Sequence, residues 1–151
     1  MTNNELVNDR MAMEIRDEVN PKKKVIRSFE DLEVYKLARK FSNKVTQLIR
    51  KLPKEEEYNL KGQLRRAKLS MTNNIAEGFG RFHFQENIQF CRESRGSICE
   101  LIDDFNECHD NGYIDQAYRD ELKSEGYHLI KVLNGYISST KRQKSKPGSV
   151  T

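Results

Sequence analysis

Apolar residues recur at Val34, Ala38, Phe41, Val45, Leu48 and Leu52, in steps of four, three, four, three and four. Only an α-helix gathers that spacing into one continuous stripe, because residues three and four apart share a face. The unbroken heptad rhythm suits helices packed side by side. Both ends of the segment carry stop signals. Ser28-Phe29-Glu30-Asp31 has the form of a capping box, a hydroxyl followed three residues later by a carboxylate. Pro53 disfavours α geometry at Leu52 and lacks an amide donor, so the helix ends there.

Three further seams follow. Leu60, Leu64, Ala67, Met71, Ile75 and Gly78 form the second, which stops near Gly78-Phe79-Gly80. Glu55, Glu56 and Glu57 precede it and suit the positive end of a helix dipole. The third seam holds Ile88, Cys91, Arg95, Ile98, Ile102, Phe105 and His109, with Asn111-Gly112 as its C-cap. Asp115 can cap a fourth helix whose seam is Leu122, Gly126, Leu129, Leu133 and Tyr136. No strand-like alternation competes with these patterns. Four helices with short connections make antiparallel neighbours the default. The expected fold is therefore all-α, an antiparallel up-down-up-down four-helix bundle over residues 28–140. Residues 1–27 read as a polar extension ending in the basic linker Asn20-Pro21-Lys22-Lys23-Lys24. Residues 141–151 read as a basic tail too polar to bury surface, expected to be disordered.

Composition narrows the class. Of 151 residues, 33% are charged and 36% apolar, which fits one soluble helical domain. No run of about 18 apolar residues exists, so no membrane-spanning helix and no membrane partner are expected. Met1–Val19 is charged throughout and lacks the apolar centre of a secretory signal. Three cysteines, Cys91, Cys99 and Cys108, are an odd number in such a chain and point to reduced thiols in the cytoplasm. Cys91 and Cys99 are expected at or near the core as small apolar groups. The net charge of +4 is unevenly spread: seven carboxylates face two arginines between His83 and Gly112, while the segments on either side are basic. Either the two kinds of charge pair within the chain, or they form separate surfaces.

The second helix carries more than its seam. Nearly opposite lie Tyr58, Gly62, Leu69, Ala76 and Gly80, whereas an ordinary surface helix has one apolar stripe. The helix is either covered on both sides within its own bundle or pressed on another subunit. An isolated bundle needs one buried stripe per helix, which favours the subunit interface. Between the stripes Lys61, Arg65 and Lys68 align at i, i+4 and i+7, with Arg66 nearby and Arg81 just after the helix. Such a row can track phosphates and release their counterions, although a charge run is most often a solvated face. Symmetry in an oligomer would repeat the row and make weak patches multivalent. Lys36, Arg39, Lys40 and Lys44 are weaker candidates for the same surface. Asn73, Asn74 and Glu77 are polar groups in or beside the seam; a hydrogen-bonding role that fixes register is favoured over a partner site.

Catalytic chemistry finds no purchase. A di-metal carboxylate bundle needs Glu-x-x-His on two helices plus two further glutamates, and only Glu125-Gly126-Tyr127-His128 has that form. The cysteines lack CxxC spacing. Neither a phosphate-binding loop nor a nucleophile elbow is present, and nothing nominates a nucleophile, base and stabiliser in one cleft. A non-enzyme with no metal and no cofactor is expected. A basic surface on such a protein leaves two readings, RNA or DNA binding and a protein–protein adaptor for an acidic partner.

Several stretches together resemble the 23S rRNA intervening-sequence protein family of four-helix bundles. These are Asp31-Leu-Glu-Val-Tyr-Lys-Leu-Ala38, Leu52-Pro-Lys-Glu-Glu-Glu-Tyr-Asn-Leu60, Gln63-Leu-Arg-Arg-Ala67, Asn73-Asn-Ile-Ala-Glu-Gly-Phe-Gly-Arg81 and Arg95-Gly-Ser-Ile-Cys-Glu-Leu101. The resemblance spans roughly residues 28–140. It implies a bacterial protein, sometimes encoded within rRNA intervening sequences, with relatives that include the accessory variability determinant of diversity-generating retroelements. That relative is a homopentamer whose basic surface binds nucleic acid and a reverse transcriptase. The resemblance thus implies a pentamer here, with RNA or DNA as a partner and a reverse transcriptase as a further one. His83-Phe-Gln-Glu86 departs from the small hydroxyl cap of the family pattern, and Ser94-Arg95 from a more apolar pair.

Overall fold

The computed structural model describes residues 24–148; the polar extension expected over residues 1–27 lies outside them up to residue 23. Four helices follow one another: α1 (Glu33–Lys51), α2 (Leu60–Gly80), α3 (Phe84–Asp110) and α4 (Gln116–Lys144). No strand occurs among the described residues.

The ends are set by the signals in the sequence. The Asp31 carboxylate accepts hydrogen bonds from Arg27 N (2.8 Å) and Ser28 N (3.2 Å), and Ser28 Oγ accepts from Glu30 N. This box caps a single 3-10 turn, Phe29–Asp31, and not α1 itself, which starts two residues later. The three glutamates after Pro53 likewise sit in and beside a short 3-10 turn, Lys54–Glu56, before α2 begins. Asp115 caps α4 by accepting from Tyr118 N at 2.8 Å. Gly112 closes α3 at φ +77°, where a side chain would be strained. His83 does cap α3, its Nδ1 accepting from Glu86 N. α4 runs on through Lys144, so the expected loss of structure from Lys141 is corrected: its last turn gathers Lys141, Arg142 and Lys144 at the negative end of the helix dipole.

Contacts between helices fix their directions. α2 and α3 meet at Met71/Ser94, Ser70/Ser97 and Gly78/Phe90. α3 and α4 meet at Ile102/Gly126, Asn106/Lys123 and Asn87/Tyr136. α1 and α4 meet at Lys44/Glu125, Phe41/Gly126 and Lys51/Tyr118. In each set, rising numbers on one helix meet falling numbers on the other, so each pair is antiparallel. Three antiparallel pairs around a ring oblige the fourth, α1 and α2, to be antiparallel as well.

The core holds every apolar seam residue of α1 and α2, with Ile88, Cys91, Ile98, Ile102 and Phe105 from α3 and Leu122, Leu129 and Leu133 from α4. Phe41 and Phe105 meet edge to face across its centre. Two glycines let backbones approach. A Cβ on Gly78 would stand 2.8 Å from Phe90 Cβ, and one on Gly126 would stand 3.0 Å from Ile102 Cγ1. α3 has a broader inward face than one seam, because it packs on both α2 and α4. Ser94, Ser97, Leu101, Asp104 and Cys108 are buried beside the seam residues. Cys99 corrects an expectation: it is exposed, while Cys91 and Cys108 are buried. Eight residues turn Cys99 roughly 80° from Cys91, enough to leave the core. No described helix is long and apolar enough to cross a membrane.

Candidate nucleic-acid and assembly interface

Seven-residue spacing carries Gly62, Leu69 and Ala76 along the side of α2 away from its core seam, with Gly80 ending the same line. Tyr58 stands in the turn just before α2. The chain's own bundle covers this stripe only in part: Gly62 and Ala76 are half-buried, and Gly80 is exposed. Tyr58 is 98% exposed and Leu69 57%. A Cβ on Gly80 would meet nothing within 4 Å, and one on Gly62 would meet only the Arg66 guanidinium (3.3 Å) and the Glu57 carbonyl (3.9 Å). Neither glycine is required by packing within the chain, and glycine is a weaker helix former than alanine.

The basic candidates divide into groups. Arg65 Nη1 lies 2.8 Å from Glu57 Oε1, and Lys61 Nζ lies 3.4 Å from Glu57 Oε2. Arg65 first, then Lys61, hold the Glu57 carboxyl below its ordinary value. The row is therefore partly neutralised before any ligand arrives. Lys68 is half-buried and makes no ion pair among the described residues. Arg66 stands apart: it lines a cleft with Gln63, Glu100, Asp103 and Asp104, and so faces carboxylates of α3. Arg81 pairs with Glu77 at 2.8 Å and sits over the Phe90 ring; that carboxylate raises the guanidinium's pKa.

Antiparallel pairing puts the start of α1 beside the end of α2. Lys36, Arg39 and Lys40 thus share the Arg81 end of the bundle, about 30 Å along α2 from Lys61 at 1.5 Å per residue. Lys24 beside Lys36 lowers the latter's pKa, the mark of two ammonium groups held close. Lys44 is taken up by Glu125, with Glu121 3.9 Å away.

The polar groups near the α2 seam act locally. Asn74 donates to Ser70 O and Oγ, Glu77 binds Arg81, and Asn73 is exposed. The bonds that cross to α3 come from serines outside the predicted seams. Ser94 Oγ donates to Met71 O (2.8 Å) and Ser97 Oγ to Ser70 Oγ (2.9 Å). The pairing roles of Glu57 and Glu77 and the burial of Asp104 are likewise absent from the sequence reading. The first two could have been found four to eight residues from a basic partner, within one or two helical turns. Glu125 is occupied by Lys44 and His128 is exposed. Among the described residues no group of three or more His, Cys, Asp or Glu side chains is placed to hold a metal ion.

Comparison with known proteins identifies a family relationship. The sequence model of the family described as 23S rRNA-intervening sequence protein matches residues 30–135. That range takes in all of α1, α2 and α3 and most of α4. No curated protein matches the chain.

Proposed function

The chain belongs to the 23S rRNA-intervening sequence protein family, and from that membership we propose that it is a non-enzymatic subunit of a cytoplasmic homo-oligomer that binds RNA or DNA. The observation that carries the proposal is the outer side of α2, where exposed Tyr58 and Leu69 run alongside Arg65 and Lys68. An apolar stripe rimmed by charge is the usual form of a protein contact. A neighbouring copy covers that stripe, with the pentamer implied by the family resemblance as the expected state. Because Glu57 offsets part of the charge on Lys61 and Arg65, one copy's row is weak. Its effect comes from repetition, which converts modest local attraction into avidity. Such an assembly suits an accessory of an rRNA intervening sequence or of a reverse transcriptase.

Binding of a non-specific RNA, titrated with salt, tests this reading. Each phosphate neutralised contributes about −0.9 to the slope of log affinity against log salt for duplex, or −0.7 for single strands. Arg65→Gln with Lys68→Gln flattens that slope in a multivalent assembly. Binding that does not change with salt, or none at low salt, overturns the nucleic-acid reading. The carboxylates on Lys61, Arg65 and Arg81 support a second reading, an adaptor for another protein, in which Leu69→Glu abolishes partner capture while RNA has no effect.

A further inference from the structure

The cleft between α2 and α3 has chemistry opposite to the basic row. Glu100, Asp103 and Asp104 contribute three carboxylates from successive turns of α3, Gln63 adds an amide and Arg66 the one cation lining it, around a space of about 330 Å³. That volume lies at the lower end of small-molecule pockets. With the carboxylates ionised, the lining carries a net charge of −2.

Asp104 distinguishes this cleft from an ordinary acidic helix face. Its residue is only 6% exposed, yet its carboxylate takes part in no hydrogen bond or ion pair among the described residues. Among the described residues no side-chain oxygen or nitrogen is both sealed from solvent and unpartnered, so the Asp104 oxygens open on the cleft that the residue lines. Buried carboxylates are normally paired, because stripping their water is costly. Burial first, then Asp103, Glu100 and Glu107, push the Asp104 carboxyl up to about 6, with Arg66 pulling the other way. At neutral pH a largely ionised carboxylate thus stands at the floor of a cleft with no counter-ion bonded to it.

We propose that this cleft binds a small organic cation with a guanidinium head, seated on Asp104 and shared with Asp103, Glu100 and the Gln63 carbonyl. A metal ion is the poorer fit, because the acidic side chains do not converge as a ligand set. A planar guanidinium has five donors and can bridge carboxylates that stand apart, with one bidentate pair at the floor. Arg66 is the resident competitor, a guanidinium already drawn to the same field.

Calorimetric titration of the full chain with agmatine at about pH 7.5 tests the assignment. Wild-type protein binds agmatine, and Asp104→Asn weakens binding at least about tenfold, as loss of a buried charge partner does. Arg66→Gln tightens it, since the competing cation is gone; this surface variant keeps the test sound if Asp104→Asn fails to fold. Affinity falls as pH drops through about 6, where Asp104 takes up its proton. Absence of binding in wild type and Arg66→Gln alike, equal affinity for Mg²⁺ or putrescine, or an unchanged constant in folded Asp104→Asn each overturns the proposal.

Discussion

Asp104→Asn is the most informative single substitution for the fold as well. The Asp104 carboxyl titrates near 3.8 when the chain is unfolded and near 6 when folded. The shift is roughly two units, at about 1.36 kcal/mol each, so the linkage is worth about 3 kcal/mol. Its sign follows from which state holds the proton. Between these two values the native chain keeps a proton that the unfolded chain has released, so stability falls as pH rises. The full stability is present below about pH 4 and has been lost by about pH 7. The amide of the variant carries no charge and escapes this loss. Other carboxyls work in the opposite sense: Asp31, Glu56 and Glu57 titrate below their ordinary values when folded, and contribute stability that grows with pH. The measurement is therefore a difference. Urea unfolding of wild type and variant, followed by helical circular dichroism from about pH 4 to about pH 8, gives two curves whose separation cancels the shared groups. The wild-type value should drop by about 2 kcal/mol relative to the variant across that range, since at pH 4 the unfolded chain has already released part of its proton. A flat difference, or one that rises with pH, would refute the claim that Asp104 lies buried and unpaired.

Other substitutions probe the remaining surfaces. Leu69→Glu should leave helical content unchanged and reduce the mass measured by light scattering to that of one chain; an unaltered mass, or a wild-type monomer at tens of micromolar, removes the assembly from the proposal. Arg65→Gln with Lys68→Gln should reduce the salt slope of RNA binding by about one unit or more, measured by fluorescence anisotropy. Gly78→Ala should destabilise the bundle by about 1–3 kcal/mol in chemical unfolding, because its Cβ meets Phe90 and Asn87 at 2.8–3.2 Å. Gly96→Ala and Gly135→Ala meet nothing within 4 Å; each should add up to about 1 kcal/mol if that face stays open, and cost stability if another copy lies against it.

Periodicity carries most of the fold because it reports which residues share a face. The four seams, the turn at Gly112 and the cap at Asp115 need nothing else. It reports poorly on a helix with two buried sides. α3 packs on α2 and α4 together, so a single seven-residue seam takes in Ile98 and Phe105 but passes over Leu101, Asp104 and Cys108; Cys99, expected near the core for its small apolar side chain and not for its place on the seam, faces out. The apolar stripe of α2 is legible because Leu69 and Ala76 have no place on the core side. The charges beside it look like an unpaired row in the sequence, although Glu57 reaches Lys61 and Arg65 from the preceding turn. Charge pairing depends on where long side chains extend, and spacing alone does not carry that information. Arg66 lies one residue from Arg65, a 100° turn that sends it to the opposite edge of the helix.

The serine bonds and the glycine contact between α2 and α3 bear on how the exposed side of α2 can be used. Ser94 holds the Met71 carbonyl, Ser97 holds Ser70, and Gly78 seats its backbone against Asn87 and Phe90. These ties span several turns and oppose rolling of the helix about its own axis. Whatever meets Leu69 therefore encounters a template already set, and the entropy of ordering it has been spent in folding. Small changes in the α2–α3 seam would then alter association without touching a single residue on the contact surface.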